Sequence, residues 1–390
     1  MGLVGAATRR KAPSEEYSRI FSEENRYDQI RKSEHKMATL EVVKHYYDDG
    51  PDLRCSFTKR HGFPYELCVK NTICPEISRP IFWDRVDDFC DHYIKENEFF
   101  DSNQSIKVFS QMDIGITGHV GGNQWGGVVL ANIHGMALLY RDTIIGSVHP
   151  EREFGDEFRR DLGWLERFNE KVAQTLEGKL LPEKDDNKML CSVRHIRAWI
   201  EQHGLDESHY VRSMRQHFQS EQVEVSNRKS RRMPTLEATL AIKSDTGFST
   251  TYFEISLLAK RVTLTREERE HTLFKSIGDL AGTLISLTND LCSLFKELKD
   301  QEPNNFVLVI MKQQGCSLRQ ALDRAVELYN HKMTAYHEIK RMLPDSKNSQ
   351  AVKDSWDSLL YYSRWNAQSP RYAVKYAPGD ESYLDEYRIG

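Results

Sequence analysis

The stretch Thr288-Asn289-Asp290-Leu291-Cys292-Ser293-Leu294-Phe295-Lys296-Glu297 sits inside a long run of helical periodicity. On a helix, positions i, i+4 and i+8 line up, so Asn289, Ser293 and Glu297 share one face. They present an amide, a hydroxyl and a carboxylate. An all-oxygen set is what a hard divalent ion such as Mg²⁺ takes. Leu291, Leu294 and Phe295 lie on the other side, so the polar stripe borders packed structure. Taken alone, the stripe reads equally well as a solvated helix face.

Upstream, apolar residues recur at Leu273, Phe274, Ile277, Leu280, Ala281, Leu284, Ile285, Leu287 and Leu291. So wide a stripe belongs to a helix buried among others. Thr265-Arg266-Glu267-Glu268 matches a capping box at its start, and Ser317 to Gln320 matches a second one before a helix from Leu318 to Arg341. Residues 128–142, 155–180, 190–203, 207–224 and 351–366 also have helical spacing. A further helix starts at Thr235, and Gly247 interrupts it. The basic run Ser226 to Pro234 reads as a solvated loop, and the glycines between 115 and 127 as a loop or a helix end passing close to something. Convincing period-two alternation is scarce. The fold class expected is all-α, with a tail over 1–70, one helical domain over 71–376 and a polar tail over 377–390.

The 390 residues can bury a large core, and the 39% hydrophobic and 29% charged content is that of a soluble globular chain. A net charge of -4 gives no general affinity for nucleic acid or anionic lipid. The seven cysteines are scattered, without zinc spacing and in odd number, which points to a reducing cytoplasmic setting. No run is long and apolar enough for a signal peptide or a stable membrane span.

A second constellation lies in Trp83-Asp84-Arg85-Val86-Asp87-Asp88-Phe89-Cys90-Asp91-His92-Tyr93. Asp87 and Asp91 are one helical turn apart, with Asp88 adjacent. Stacked carboxylates repel each other unless a cation lies between them. The alternative is an acidic patch near a helix N-terminus, which favours the dipole. The same spacing at Asp48-Asp49-Gly50-Pro51-Asp52 carries no such meaning, because Gly-Pro forbids the helix that would align the acids.

DDxxD on one helix and NDxxSxxxE about two hundred residues later form a rare pairing. Together they resemble the microbial-type class I terpene synthases over roughly residues 75 to 375, and the octocoral terpene cyclases are a divergent branch that suits the N-terminal part. The resemblance implies a single helical bundle enclosing a central cavity, with residues 1–70 capping the site. It implies that Asp87, Asp88 and Asp91 face Asn289, Ser293 and Glu297 and hold three Mg²⁺ ions on the diphosphate of a linear prenyl diphosphate. Ser369-Pro370-Arg371-Tyr372 is similar to the family's Arg-Tyr pair, whose side chains donate to the diphosphate. Leu236 to Gly247 is similar to the family's sensor segment, with Lys243 where an arginine is usual and Gly247 at the helix break. Lysine is a point charge without arginine's two-pronged fork. Lys296 is a further diphosphate donor on this reading. Phe82, Phe89, Phe274 and Trp365 are wall candidates, although side chains of this kind are more often simply core.

The activity implied is ionisation of the diphosphate and cyclisation of the resulting carbocation to a terpene hydrocarbon or alcohol, with geranylgeranyl diphosphate slightly favoured over farnesyl. The diphosphate can itself take the final proton. A homodimer is compatible with the family. Two alternatives remain: a chain-elongating prenyltransferase of the same fold, which would carry a second aspartate cluster where this chain has Asn289, Ser293 and Glu297, and a non-catalytic helical binding protein.

Overall fold

The computed structural model describes residues 83–96, 120–122, 124–145, 162–182, 187–299 and 302–368. Among these residues every regular element is a helix: α1 Trp83–Glu96, α2 Trp125–Ile145, α3 Leu162–Leu176, α4 Lys188–Gln202, α5 Ser208–Ser230, α6 Leu236–Thr246, α7 Ser249–Ala259, α8 Arg266–Glu270, α9 Thr272–Lys299, α10 Phe306–Gln314, α11 Leu318–Met342 and α12 Lys347–Gln368. None of them is long and apolar enough to cross a membrane. The expectations for residues 1–70 and 377–390, and for Phe82, Arg371 and Tyr372, lie outside the described residues, as do the side chains of Asp87, Asp88, Asp91, Lys296 and Trp365.

The bundle is built around α9, which packs against α6, α7, α8, α10, α11 and α12. Its apolar stripe explains why: Ile277, Ala281, Leu284, Leu287, Leu291 and Leu294 are all fully buried. Each of the leucine and isoleucine side chains contributes about 1.5–3 kcal/mol when removed from water. On the far side α2 packs against α1, α4 and α7, and the core is continuous from Val86 to Leu360.

Both capping boxes form. Thr265 N–H donates to Glu268 Oε2 at 2.8 Å, and Ser317 N–H donates to Gln320 Oε1 at 3.0 Å. The first, however, opens only the five-residue α8. The chain turns to extended backbone at His271, and α9 begins afresh at Thr272. Arg266 to Glu270 has no buried residue to hold it in line with α9. His271 Nδ1 instead accepts from Leu273 N–H at 3.2 Å.

The basic run also differs from expectation. Residues 226–230 continue α5, and only Arg231, at φ 52°, ends the helix. The last turn is anchored from outside: Arg228 Nε donates to Glu302 Oε2 at 2.6 Å, and Asn227 Nδ2 to Asn304 Oδ1 at 3.0 Å. Two basic residues in that turn also suit the helix dipole. The glycine-rich end does pass close to something. A Cβ on Gly127 would lie 2.5 Å from Gly121 O and 2.6 Å from Ala259 O, so α2 starts backbone against backbone on the end of α7.

Two core histidines give the fold a pH dependence. Burial, with His217 nearby, pushes His134 down to about 3. Burial, with Arg194 nearby, pushes His195 down to about 4. Each is held neutral beside a tyrosine hydroxyl, Tyr210 at 2.8 Å and Tyr93 at 2.6 Å. Below about pH 6.5 the unfolded chain protonates both rings and the folded chain does not. Stability is therefore full above that pH and is lost as the pH falls, by about 1.4 kcal/mol per pH unit per histidine until the folded values are reached. Urea midpoints should drop clearly between pH 7.5 and 5.0, and replacing both histidines with Gln should flatten the profile. A wild-type midpoint that holds steady or rises would rule this account out.

Candidate active site

The α9 stripe sits two-thirds of the way along the central helix. Ser293 is fully buried, while Asn289 and Glu297 are half-buried. Ser293 Oγ donates to the Asn289 carbonyl at 2.8 Å, which spends its hydrogen on the backbone and leaves its lone pairs as acceptors. Glu297 Oε2 accepts from Asn305 Nδ2 at 2.8 Å, and Glu297 Oε1 makes no hydrogen bond within the described residues. An amide, a hydroxyl used as a donor to backbone, and a carboxylate with one oxygen uncommitted fit a hard divalent cation. Among the described residues no group of three or more His, Cys, Asp or Glu side chains gathers. The acidic partner motif lies on α1, and the structure places Asp87 and Asp91 one turn apart on that helix.

Behind the stripe is a buried ionic network. Lys243, on α6, is 5% exposed, and its Nζ lies 2.8 Å from both oxygens of Asp290. Glu224 Oε1 is 3.8 Å away. Burial alone would lower the Lys243 ammonium, but Asp290 and Glu224 outweigh it and hold the group protonated above its ordinary range. Burial pushes the Asp290 carboxyl up, against the pull of Lys243. Asp290 Oδ2 also accepts from Phe306 N–H at 2.8 Å, tying α9 to the start of α10. Lys243 thus stands directly behind the stripe, paired with the residue next to Asn289.

Gly247 ends α6, and Phe248 reverses into the left-handed region at φ 57° before α7 begins. A Cβ at Gly247 would collide with Ser286 Oγ of α9. That hydroxyl donates to the Lys243 carbonyl, so the helix break is pinned to α9 just above the stripe. Phe248 stacks on His217 with centroids 3.5 Å apart, and Tyr252 meets His134 edge-on at 4.8 Å. Of the wall candidates, Phe89 packs edge-on against Trp125 at 6.0 Å, and Phe274 is buried beside a separate cavity.

That cavity, about 980 Å³, is lined by Arg212, Asp245, Glu254, Arg269, Asp279 and Trp356 among others. None of Asn289, Ser293, Glu297 and Lys243 lines it. Its charged walls would trap water beside a reactive hydrocarbon cation, so it is a poor chamber for the chemistry expected of the stripe.

The stripe lies inside the segment, residues 154–335, that matches the family model described as terpene synthase family 2, C-terminal metal binding. That segment is just under half of the chain, and over it the chain is similar to the microbial-type class I terpene synthases. The chain is 24% identical over 227 residues to a (+)-T-muurolol synthase ((2E,6E)-farnesyl diphosphate cyclizing) of Roseiflexus castenholzii, a match spanning 57% of this chain and 69% of that one. It is 26% identical to a (+)-eremophilene synthase of Sorangium cellulosum, over 38% of this chain and 47% of the relative. The match thus spans just over two-thirds of one of these relatives and about half of the other. Its fold is that of the 2-methylisoborneol synthase of Streptomyces coelicolor, solved with Mg²⁺ and geranyl-S-thiolodiphosphate: the TM-score is 0.60 at 14% identity, over 80% of this chain and 98% of that one. The class I terpenoid synthase fold is thereby fixed, and the match to the metal-binding family model covers just under half of the chain. The matched segment stops short of both Asp87 and Arg371.

Sequence reasoning did not single out Asp290, Glu224 or Asn305. Asn305 was legible as a helix start, since it immediately precedes the apolar run Phe306 to Met311. Its reach back to Glu297 depends on how the loop after α9 folds, which no periodicity encodes.

Proposed function

We propose that this chain is a Mg²⁺-dependent cyclase that ionises farnesyl diphosphate and closes the carbocation into a sesquiterpene hydrocarbon or alcohol, releasing diphosphate. The observation that carries this reading is the Asn289, Ser293 and Glu297 stripe on the central helix, inside the segment that matches the family's metal-binding model. The relative named as cyclising farnesyl diphosphate moves the choice of substrate away from geranylgeranyl diphosphate.

Asn289, Ser293 and Glu297 would hold metal on one side, and Asp87, Asp88 and Asp91 on the other, with three ions in all. When bound, the ions neutralise the diphosphate and make it a good leaving group. Lys296, Arg371 and Tyr372 would donate to the diphosphate oxygens. Lys243 has three N–H donors and would contribute from behind the stripe while paired with Asp290. Phe248 and Tyr252, which follow the Gly247 break, would line the chamber, where aromatic faces stabilise positive charge and keep water out. The diphosphate takes the final proton, so no side-chain base is needed.

Incubation with the C10, C15 and C20 prenyl diphosphates and Mg²⁺, followed by product identification, tests this reading. The expected result is cyclic C15 product from farnesyl diphosphate at a kcat/KM at least tenfold above the others. Linear, lengthened prenyl diphosphates as the products would replace cyclisation with elongation, and intact substrates throughout would remove the enzyme reading.

A further inference from the structure

We propose that Asn305 is a positioning residue that fixes the Glu297 carboxylate as a metal ligand, an inference that rests on the function proposed above. Asn305 lies eight residues beyond Glu297, at the N-cap of α10, and is 1% exposed. Its Oδ1 accepts from Val307 N–H at 2.9 Å. A backbone N–H can only meet the amide oxygen, so this bond settles the orientation of the amide and directs Nδ2 toward α9. Nδ2 then spends both hydrogens there: one on Glu297 Oε2 at 2.8 Å, the other on the Asp290 carbonyl at 2.8 Å.

The consequences follow from geometry. A glutamate has three rotatable side-chain bonds, and a half-buried one samples several rotamers unless something holds its end. Asn305 grips Oε2 and leaves Oε1 for a cation. The grip is itself rigid, because the next residue, Phe306, donates its N–H to Asp290 Oδ2 at 2.8 Å. The corner 305–306 therefore clamps the stripe at two points and links Glu297 to the Lys243–Asp290 pair. Outer partners that orient a ligand typically change metal affinity 10–100-fold when removed.

Asn305→Ser separates positioning from folding. Serine is as good an N-cap as asparagine, but its side chain is too short to reach Glu297 as well. Asn305→Thr is the second variant, with the same logic. Binding of Mn²⁺ in the presence of inorganic diphosphate is read by electron paramagnetic resonance, alongside urea midpoints and the dependence of turnover on Mg²⁺. The expected result is an Mn²⁺ affinity about tenfold weaker or more, a raised KM for Mg²⁺, and kcat near wild type at saturating Mg²⁺, with the unfolding midpoint little changed. If Glu297→Gln weakens Mn²⁺ binding and neither Asn305 variant does, the positioning role is overturned and the metal site stands. If the wild type itself binds no Mn²⁺ with diphosphate, the metal reading of the stripe falls, and this inference with it.

Discussion

Glu297→Gln is expected to leave the protein folded and to reduce kcat/KM for the prenyl diphosphate about 10³-fold, which corresponds to about 4 kcal/mol of transition-state stabilisation. The substitution is nearly isosteric. A glutamine oxygen still accepts from Asn305 Nδ2, the bond now made at 2.8 Å. Glu297 is half-buried, so the amide replaces a charge near solvent rather than opening a hole in the core. What is lost is the negative charge that a hard divalent cation requires. The check is a diphosphate-release assay run beside a urea titration. A kcat/KM within threefold of wild type would mean that Glu297 is an ordinary helix-surface carboxylate.

Lys243→Met is expected to cost about 3–5 kcal/mol of folding stability, because it leaves the buried Asp290 without its cation. Asp290 is 4% exposed, and Glu224, 3.8 Å from the Lys243 ammonium, has its own carboxyl pushed up by burial. Methionine fills most of the lysine volume, so the cost reports charge rather than a cavity. Adding Asp290→Asn should recover more than half of the loss, since the asparagine oxygen can still accept from Phe306 N–H while the uncompensated charge is gone. The measurement is a double-mutant cycle in urea. Additive losses in the two single variants would show that Lys243 and Asp290 do not act as a pair.

Much of this molecule is written in its periodicity. The apolar stripe of α9, the caps at Thr265 and Ser317, and the break at Gly247 all follow from local chemistry, and each forms where its residues predict. The ends are harder to read. Residues 226–230 look like a loop because they are charged, yet Glu302 and Asn304, more than seventy residues away, hold them as helix. The site divides the same way. Asn289, Ser293 and Glu297 are one helix face and need no tertiary information. Lys243 stood out as a cation, but its pairing with Asp290 is fixed by how α6 crosses α9, and spacing along the chain does not report a crossing. The far half of the proposed metal site, at Asp87, Asp88 and Asp91, rests on its motif and on its place on α1.

The central claim is that the stripe on α9 serves metal-dependent cyclisation of a prenyl diphosphate. The most direct measurement follows both products of farnesyl diphosphate, inorganic diphosphate and volatile terpene, with Mg²⁺ present and then with all divalent metal chelated. The account predicts equal amounts of diphosphate and cyclic C15 product with Mg²⁺, and neither after chelation. Metal-independent release of diphosphate, or substrate left intact in both conditions, would contradict it.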